Sequence, residues 1–167
     1  MSTVGSKPNL LTVSKRSKSN GLKVSTNSKS NILKVSTKLK TGLASAGVLE
    51  HYTPEQHLFE VDQPNQGVYL VMKGKVRLSV KDFAKLDRLF SSGSLLGVPA
   101  TFIGRPYSLA AAAVTEAEVL HIERQAFLDI MAQQPELCRE ATDMLCREVQ
   151  FIHAALAERR REKNYAY

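Results

Sequence analysis

The sequence predicts a mainly β fold with C-terminal helices: an antiparallel β-roll, double-stranded and jelly-roll-like, closed by a short and a long α-helix. Three features of the 167-residue chain support this prediction: many short β-type segments, turn residues between them, and helical periodicity after residue 125. Many short strands separated by turns are typical of sandwiches, rolls and barrels. The β-type segments span residues 57–61, 68–72, 76–80, 86–90, 109–114 and 119–122.

The central pair of strands is the clearest local signal. Residues 68–72 form a continuous apolar run, which is consistent with a fully buried strand. Residues 76–80 read Val-Arg-Leu-Ser-Val, and this alternation predicts a strand with one solvent-facing side. The Lys-Gly-Lys stretch between them and the Asp-Gln-Pro-Asn-Gln-Gly stretch at 62–67 have the composition of turns.

Two helices are predicted near the C-terminus. Residues 125–134 form the short one, and Pro135 suits the first turn of the long one. The main apolar stripe of the long helix, which we expect to cover the roll, consists of Leu137, Ala141, Leu145, Val149, Ile152 and Leu156. A second apolar face would be exposed in a monomer, so we expect it to form the interface of a parallel homodimer. That face consists of Met144, Phe151 and Ala155.

Charge divides the chain into two regions. Residues 1–49 contain nine Lys or Arg and no acidic or aromatic residue, whereas the other 118 residues contain fourteen basic and sixteen acidic residues. We therefore expect residues 1–48 to form a disordered basic Ser/Lys-rich tail and residues 49–167 to form one domain. The tail is either a weak, sequence-independent contact for nucleic acid or an anionic surface, or a solvated extension.

The tail contains an eleven-residue repeat. Leu-Thr-Val-Ser-Lys begins at Leu11, and Leu-Lys-Val-Ser-Thr begins at Leu22 and again at Leu33. Eleven residues nearly complete three helical turns, so the three leucines would share one face of a helix. The intervening Ser, Thr, Asn and Lys residues offer too little apolar surface to offset the entropy of ordering the chain, so disorder is expected.

Composition argues against several classes of protein. No stretch of about 18 apolar residues occurs, so no membrane span is expected, and the N-terminus has no apolar signal core. Cys138 and Cys146, the only cysteines, are expected to be reduced thiols of a cytoplasmic protein. No nucleophile elbow or P-loop is present. We therefore expect no enzymatic activity, no metal and no cofactor.

Two segments carry a family resemblance. Residues 67–78 read Gly-Val-Tyr-Leu-Val-Met-Lys-Gly-Lys-Val-Arg-Leu, and residues 93–108 follow as a loop rich in glycine and serine. With the two helices, they resemble cyclic-nucleotide-binding domains of the catabolite-activator and fumarate-nitrate-regulator type over about residues 48–160. The resemblance implies a ligand-sensing β-roll with a phosphate-binding cassette. Relatives carry a DNA-binding helix-turn-helix after the long helix, but six residues follow Arg161, so we expect none here.

The cassette departs from the family's chemistry at two positions. The resemblance implies a Gly-Glu pair that grips the ribose and an Arg-Ser pair that grips the cyclic phosphate. Gly97 and Ser108 are present, but Val98 replaces the Glu and Tyr107 replaces the Arg. A buried phosphate without its counter-charge is costly. We therefore interpret the cassette as degenerate, with Arg105 either a substitute cation or an exposed loop residue.

Histidines provide the remaining candidates. The resemblance aligns His153 with a position that reaches toward the ligand base, so it is either a ligand contact or a helix-surface histidine, whereas His121 is expected to have no chemical role. The alternative function is a cupin-like metal-dependent enzyme, for which His51, His57 and Glu60 lie in the right neighbourhood without the required His-x-His. The favoured function is a non-catalytic sensor or regulatory module that acts through a protein partner or a non-standard ligand.

Overall fold

In the computed structural model, which describes residues 33–81 and 84–164, two antiparallel sheets precede two C-terminal helices. The strands are β1 Val48–Tyr52, β2 His57–Phe59, β3 Gly67–Lys73, β4 Lys75–Ser79, β5 Arg88–Ser91, β6 Leu95–Leu96, β7 Ala110–Ala113 and β8 Ala117–Glu123. The helices are α1 Thr37–Ala44, α2 Val98–Ile103, α3 Arg124–Gln133 and α4 Pro135–Asn164. One sheet has the strand order β1-β8-β3-β6 and the other β2-β7-β4-β5. The predicted β-roll is confirmed.

The central strands behave as their periodicity predicts. The first five residues of β3 are buried, while β4 alternates between exposed or half-buried and buried positions. Gly74 joins them with a φ of +86°, and a Cβ there would lie 2.3 Å from the carbonyl oxygen of Glu116. Only glycine fits this turn without moving the neighbouring backbone. Because β3 and β4 belong to different sheets, the turn also joins the two layers of the roll.

The two C-terminal helices are present, and Leu137 and Ala141 of α4 are buried as predicted, but beyond them the buried face differs from the predicted stripe. Met144 is fully buried, whereas Val149 is 50% and Leu156 is 37% exposed. The face that covers the roll therefore follows Leu137, Ala141, Met144 and Glu148, at spacings of four, three and four residues. Assigning Met144 to an exposed dimer interface was wrong, because the buried stripe includes an acidic residue that the apolar pattern had excluded.

The folded domain begins earlier than predicted. Helix α1 lies within the segment assigned to the tail, and its Leu39 and Leu43 are fully buried. Leu33 is also buried, so residues 33–48 pack on the domain through a few well-spaced leucines despite their polar composition. Residues 1–32, with the first two copies of the repeat, lie outside the described residues, so their disorder stays a prediction. None of the helices in residues 33–81 and 84–164 combines the length and the apolar composition that a membrane span requires.

Candidate functional site

The cassette loop turns sharply at Gly97, directly before α2. Gly97 has a φ of +83°, and a Cβ there would lie 3.0 Å from the carbonyl oxygen of Gly67 and 3.3 Å from the Tyr107 ring. Glycine is therefore needed both for the left-handed backbone and for the close approach of β3. Val98, the next residue, is 2% exposed and packs into the core. A left-handed glycine therefore precedes α2, and a buried apolar side chain stands where the resemblance implies a carboxylate.

Tyr107 holds the cassette against the start of β3. Its hydroxyl donates to the carbonyl oxygen of Gly67 at 2.8 Å and accepts from the backbone N–H groups of Gln66 and Gly67, each at 3.1 Å. Its ring stacks on Phe59 with centroids 4.2 Å apart. Burial raises the pKa of Tyr107, although the hydrogen bonds from Gln66 and Gly67 oppose the rise. The phenol is therefore a neutral structural anchor.

A narrow cavity of about 40 Å³ lies between the cassette and α4. Of the predicted ligand contacts, Gly97, Tyr107 and Ser108 line it. Glu148 is the only charged residue among the described residues that line this space, and the others are mostly apolar. The remaining lining residues are Leu33, Phe59, Leu78, Leu95, Leu96, Pro99, Ala100 and Leu109.

Glu148 forms a buried ion pair with Arg88 of β5. The Arg88 Nη2 atom lies 2.6 Å from the Glu148 Oε1 atom, and the two side chains are only 5% and 7% exposed. The Arg88 guanidinium carbon lies 5.2 Å from the Phe90 ring centroid and 4.8 Å from that of Phe151. Arg88 Nη1 is buried without a hydrogen-bond partner among the described residues. The pair therefore joins one sheet to α4 next to the cavity.

Two predicted ligand contacts lie elsewhere. Arg105 is exposed and lines a separate, open groove together with Ile103 and Arg124. His153 is exposed on α4 and is not among the described residues that line the cavity. A ligand role for either residue stays a prediction. His121 stacks on Tyr69, with centroids 4.6 Å apart.

The histidines considered for a metal site do not converge. His57 Nδ1 lies 2.9 Å from Glu60 Oε1 on the surface, and His51 belongs to β1. No group of three His, Cys, Asp or Glu side chains in residues 33–81 and 84–164 is arranged to hold a metal ion. The described geometry thus offers nothing that favours the cupin-like alternative.

Arg88 and Glu148 are the site residues that the sequence analysis missed. In the sequence, Glu148 follows Met144 by four residues and precedes Phe151 by three, so a charge interrupts an apolar helical face. Arg88 and Phe90 are two apart in a short strand and therefore share a face. A charged residue at such positions is a signal for a buried pair, but the sequence does not show which two residues meet.

The comparisons with known proteins agree with this geometry. A sequence profile of the family described as "Cyclic nucleotide-binding domain" matches residues 49–134. No curated protein matches the chain. Among solved structures, the chain is similar to the Thermus thermophilus catabolite activator protein, with a TM-score of 0.63 and 23% identity over 74% of this chain and 59% of that chain. This chain therefore spans less than two thirds of that relative.

Two other solved structures share the fold. The N-terminal domain of a transcriptional regulator from Streptomyces coelicolor A3(2) matches with a TM-score of 0.54 and 18% identity, over 75% of this chain and 90% of that chain. Oxidized CprK in complex with o-chlorophenolacetic acid matches with a TM-score of 0.60 and 13% identity, over 77% and 54%. The family profile covers just over half of the sequence, so the chain belongs to the cyclic nucleotide-binding domain family and has the Crp/Fnr-like regulator fold.

Proposed function

We propose that this chain is a non-catalytic regulatory module whose cavity binds a small uncharged ligand and not a cyclic nucleotide. The observation that carries the proposal is the acidic residue Glu148, which is the only charged residue among the described residues that line the cavity. Family membership supports a regulatory role. The replaced cassette residues, Val98 and Tyr107, support a change of ligand.

The charge distribution opposes a cyclic phosphate. The phosphate would bring a negative charge into an apolar cavity that already contains the Glu148 carboxylate. The Nη2 atom of Arg88 is engaged by that carboxylate, which neutralises the guanidinium, and the Tyr107 hydroxyl is engaged by backbone groups. Losing one charge-assisted hydrogen bond from a buried site costs on the order of 2–5 kcal/mol. Because about 1.4 kcal/mol is tenfold in affinity, losing two converts a micromolar binder into a millimolar or weaker one.

An uncharged ligand fits the same surroundings. The Arg88–Glu148 pair is neutral overall, so a ligand without charge leaves no buried charge unpaired. A hydrogen-bond donor on an apolar body would complement the Glu148 carboxylate and the apolar walls. The fold is compatible with ligands other than nucleotides, since the CprK structure contains o-chlorophenolacetic acid. Because that carboxylic acid is an anion at neutral pH, it supports the change of ligand and not the absence of charge.

Titration calorimetry with cyclic AMP and cyclic GMP tests the first half of the proposal. We expect no heat of binding at micromolar nucleotide. A dissociation constant below roughly 10 μM for either nucleotide would refute the degenerate site. In that case, Arg105→Gln and His153→Gln variants would show whether one of these residues has taken over the phosphate contact.

Three small probes test the second half, because a cavity of about 40 Å³ has room for about three non-hydrogen atoms: ethanol, acetate and ethylamine. In NMR titrations of the full chain, we expect ethanol to bind with a dissociation constant no lower than about 1 mM, as its few atoms allow. Acetate and ethylamine carry charge, so both should bind more weakly than ethanol. Tighter binding of acetate would show that Arg88 and not Glu148 determines the preference. Native mass spectrometry of freshly purified protein would reveal a copurified ligand.

We also propose that α4 forms a parallel homodimer, now through its exposed apolar residues. Val149 and Leu156 are exposed and Ile152 is half-buried, and their spacings of three and four place them on one face. Val149→Glu should yield monomers in analytical ultracentrifugation. Ala154→Glu is the matched control, because Ala154 is exposed on another side of the same helix. A wild-type monomer at micromolar concentration would refute the dimer.

A further inference from the structure

An open groove of about 460 Å³ lies beside the cassette and shares no described lining residue with the cavity. Three parts of the chain form its walls: Pro64 and Asn65 in the loop before β3, residues 103–106 at the end of α2 and after it, and Arg124, the first residue of α3. The volume lies in the range of about 300–1,000 Å³ that is typical of small-molecule sites.

The Arg124 guanidinium is fixed in one wall of this groove. Its Nε atom donates to the carbonyl oxygen of Thr101 at 3.0 Å. A Cβ at Gly104, whose φ is +64°, would lie 2.9 Å from Arg124 Nη2 and 3.3 Å from Cζ, so glycine lets the guanidinium lie against the loop. Within residues 33–81 and 84–164, Nε is the one nitrogen of this guanidinium that has a hydrogen-bond partner. Nη1 and Nη2 are therefore left as donors for a ligand.

Thr101 connects the walls of the groove. It is fully buried, and its hydroxyl oxygen accepts from the Nδ2 atom of Asn65 at 3.2 Å. The same hydroxyl donates to the carbonyl oxygen of Gly67 at 2.9 Å. Because its own carbonyl accepts from Arg124, Thr101 links the loop before β3 and α3 to α2. A groove whose walls are held in this way is preformed, which lowers the entropic cost of binding.

Arg105 brings a second guanidinium to the groove. Gly104 ends α2 in a left-handed conformation, and the N–H of Arg105 donates to the carbonyl oxygen of Ala100 at 3.2 Å. Pro106 follows, and its ring fixes its own φ. The turn therefore holds the backbone of Arg105, while its side chain is exposed.

The described lining of the groove has two positive charges and no negative one. Among the residues that the structure describes, neither Arg105 nor Arg124 forms an ion pair, in contrast to Arg88, which is paired with Glu148. Two like charges that line one groove repel each other, and an anion with two charges offsets both. A phosphate monoester carries a charge of about −1.5 to −2 at pH 7, and its oxygens match the fork of an arginine.

We propose that this groove binds a small molecule through its phosphate monoester group, with Arg105 and Arg124 on the phosphate oxygens. Ile103 is 69% exposed in the same lining and contacts the organic part of the ligand. The site is separate from the cavity, so it does not depend on the uncharged ligand proposed there. A phosphodiester, such as a cyclic nucleotide or a nucleic-acid backbone, carries one charge per phosphate and is a poorer match.

NMR titration of the full chain with phenyl phosphate tests the proposal. We expect saturable shifts at the backbone amides of Asn65, Ile103 and Gly104, with a dissociation constant on the order of 1 mM. Methyl phenyl phosphate has the same ring and one charge less, so it should bind about tenfold more weakly. Amides of the cavity lining, such as those of Leu95 and Leu96, should not shift.

Three variants test the role of the arginines. Arg105→Gln should weaken the binding of phenyl phosphate about tenfold, because one of the two charged donors is lost. Arg139→Gln removes an exposed arginine from α4 and is the matched control, so its dissociation constant should equal that of the wild type. Arg124→Lys keeps the charge but loses the planar fork and the bond to Thr101, so weaker binding is expected there too. Arg105 is exposed, so its variant remains informative if Arg124→Lys loosens the fold.

Four results would overturn the proposal. One is the absence of saturable binding at millimolar phenyl phosphate, and another is equal binding of methyl phenyl phosphate, which would indicate a site for phosphodiesters. The third is an equal loss of affinity in Arg105→Gln and Arg139→Gln, which would indicate general electrostatic attraction. The fourth is a shift of the cavity amides in place of the groove amides. Only this last result would also refute the uncharged ligand of the cavity.

Discussion

The buried pair between Arg88 and Glu148 makes the stability of this domain sensitive to a single substitution. Replacing Glu148 with Leu leaves the Arg88 guanidinium 5% exposed, without its counter-ion, and still next to the rings of Phe90 and Phe151. Removing one partner of a buried pair typically costs about 3–5 kcal/mol. For a chain of this size, the melting temperature should fall by about 10 °C or more.

Removing both charges should change the free energy of unfolding much less than removing Glu148 alone. The double variant Arg88→Met with Glu148→Leu replaces the pair by apolar side chains of similar length, and such replacements are often neutral or stabilising. We expect its free energy of unfolding to lie within about 1 kcal/mol of the wild-type value or above it. The matched single controls, Arg139→Met and Glu158→Leu, change exposed residues of α4 and should have little effect.

Urea denaturation followed by far-ultraviolet circular dichroism measures the free energy of unfolding of the wild type and of these four variants. The refuting result is a loss below about 1 kcal/mol for Glu148→Leu, because the guanidinium would then have to reach water. A double variant as unstable as the single one would also contradict the reasoning. It would mean that packing of the two side chains, and not the uncompensated charge, determines the loss.

Three further predictions concern the anchor, the pH dependence and the boundary of the domain. Tyr107→Phe removes the hydroxyl that donates a hydrogen bond to Gly67, so it should lower the free energy of unfolding by about 1–3 kcal/mol, as measured by urea denaturation. An unchanged urea midpoint would contradict the anchoring role. Burial raises the pKa values of Tyr52, Tyr69 and Tyr107 above 10.0, with a hydrogen bond to Glu50 adding to the rise at Tyr52. Above about pH 10 the unfolded state therefore loses protons first, and stability should fall by up to about 1.4 kcal/mol per pH unit per tyrosine. Tyrosinate absorbance that rises well before unfolding would contradict this order. Limited proteolysis should leave a stable fragment that begins near Leu33, because that residue is buried; a fragment that begins after residue 45 would show that α1 detaches readily.

Strands and helices whose buried residues follow a regular spacing were predictable from the sequence. Residues 68–72 and 76–80 lie in β3 and β4, and residues 125–134 coincide with α3 to within one residue at each end. The turn at Gly74 was predictable for the same local reason, since its neighbours form strands that must reverse direction. Family membership also followed from these local segments, because the profile match covers the same region.

Elements that depend on distant partners were not predictable. Helix α1 has few apolar residues, and it was assigned to the tail because only the rest of the domain supplies the surface that buries Leu39 and Leu43. The short strand β6 has two residues and exists through its pairing with β3.

Some chemical features of the site were predictable from the sequence, and others depend on the tertiary structure. The resemblance alone implies that Val98 and Tyr107 stand where a phosphate cassette has charged groups, and this prediction needs no knowledge of the fold. Only the tertiary structure brought Glu148 to the cavity and paired it with Arg88, sixty residues away in the chain. A charged residue on an apolar helical face can raise or lower the stability of the fold, depending on whether it has a buried partner. The sequence does not identify that partner, which here comes from strand β5. The family was therefore decided by local pattern, and the electrostatics of its cavity by long-range packing.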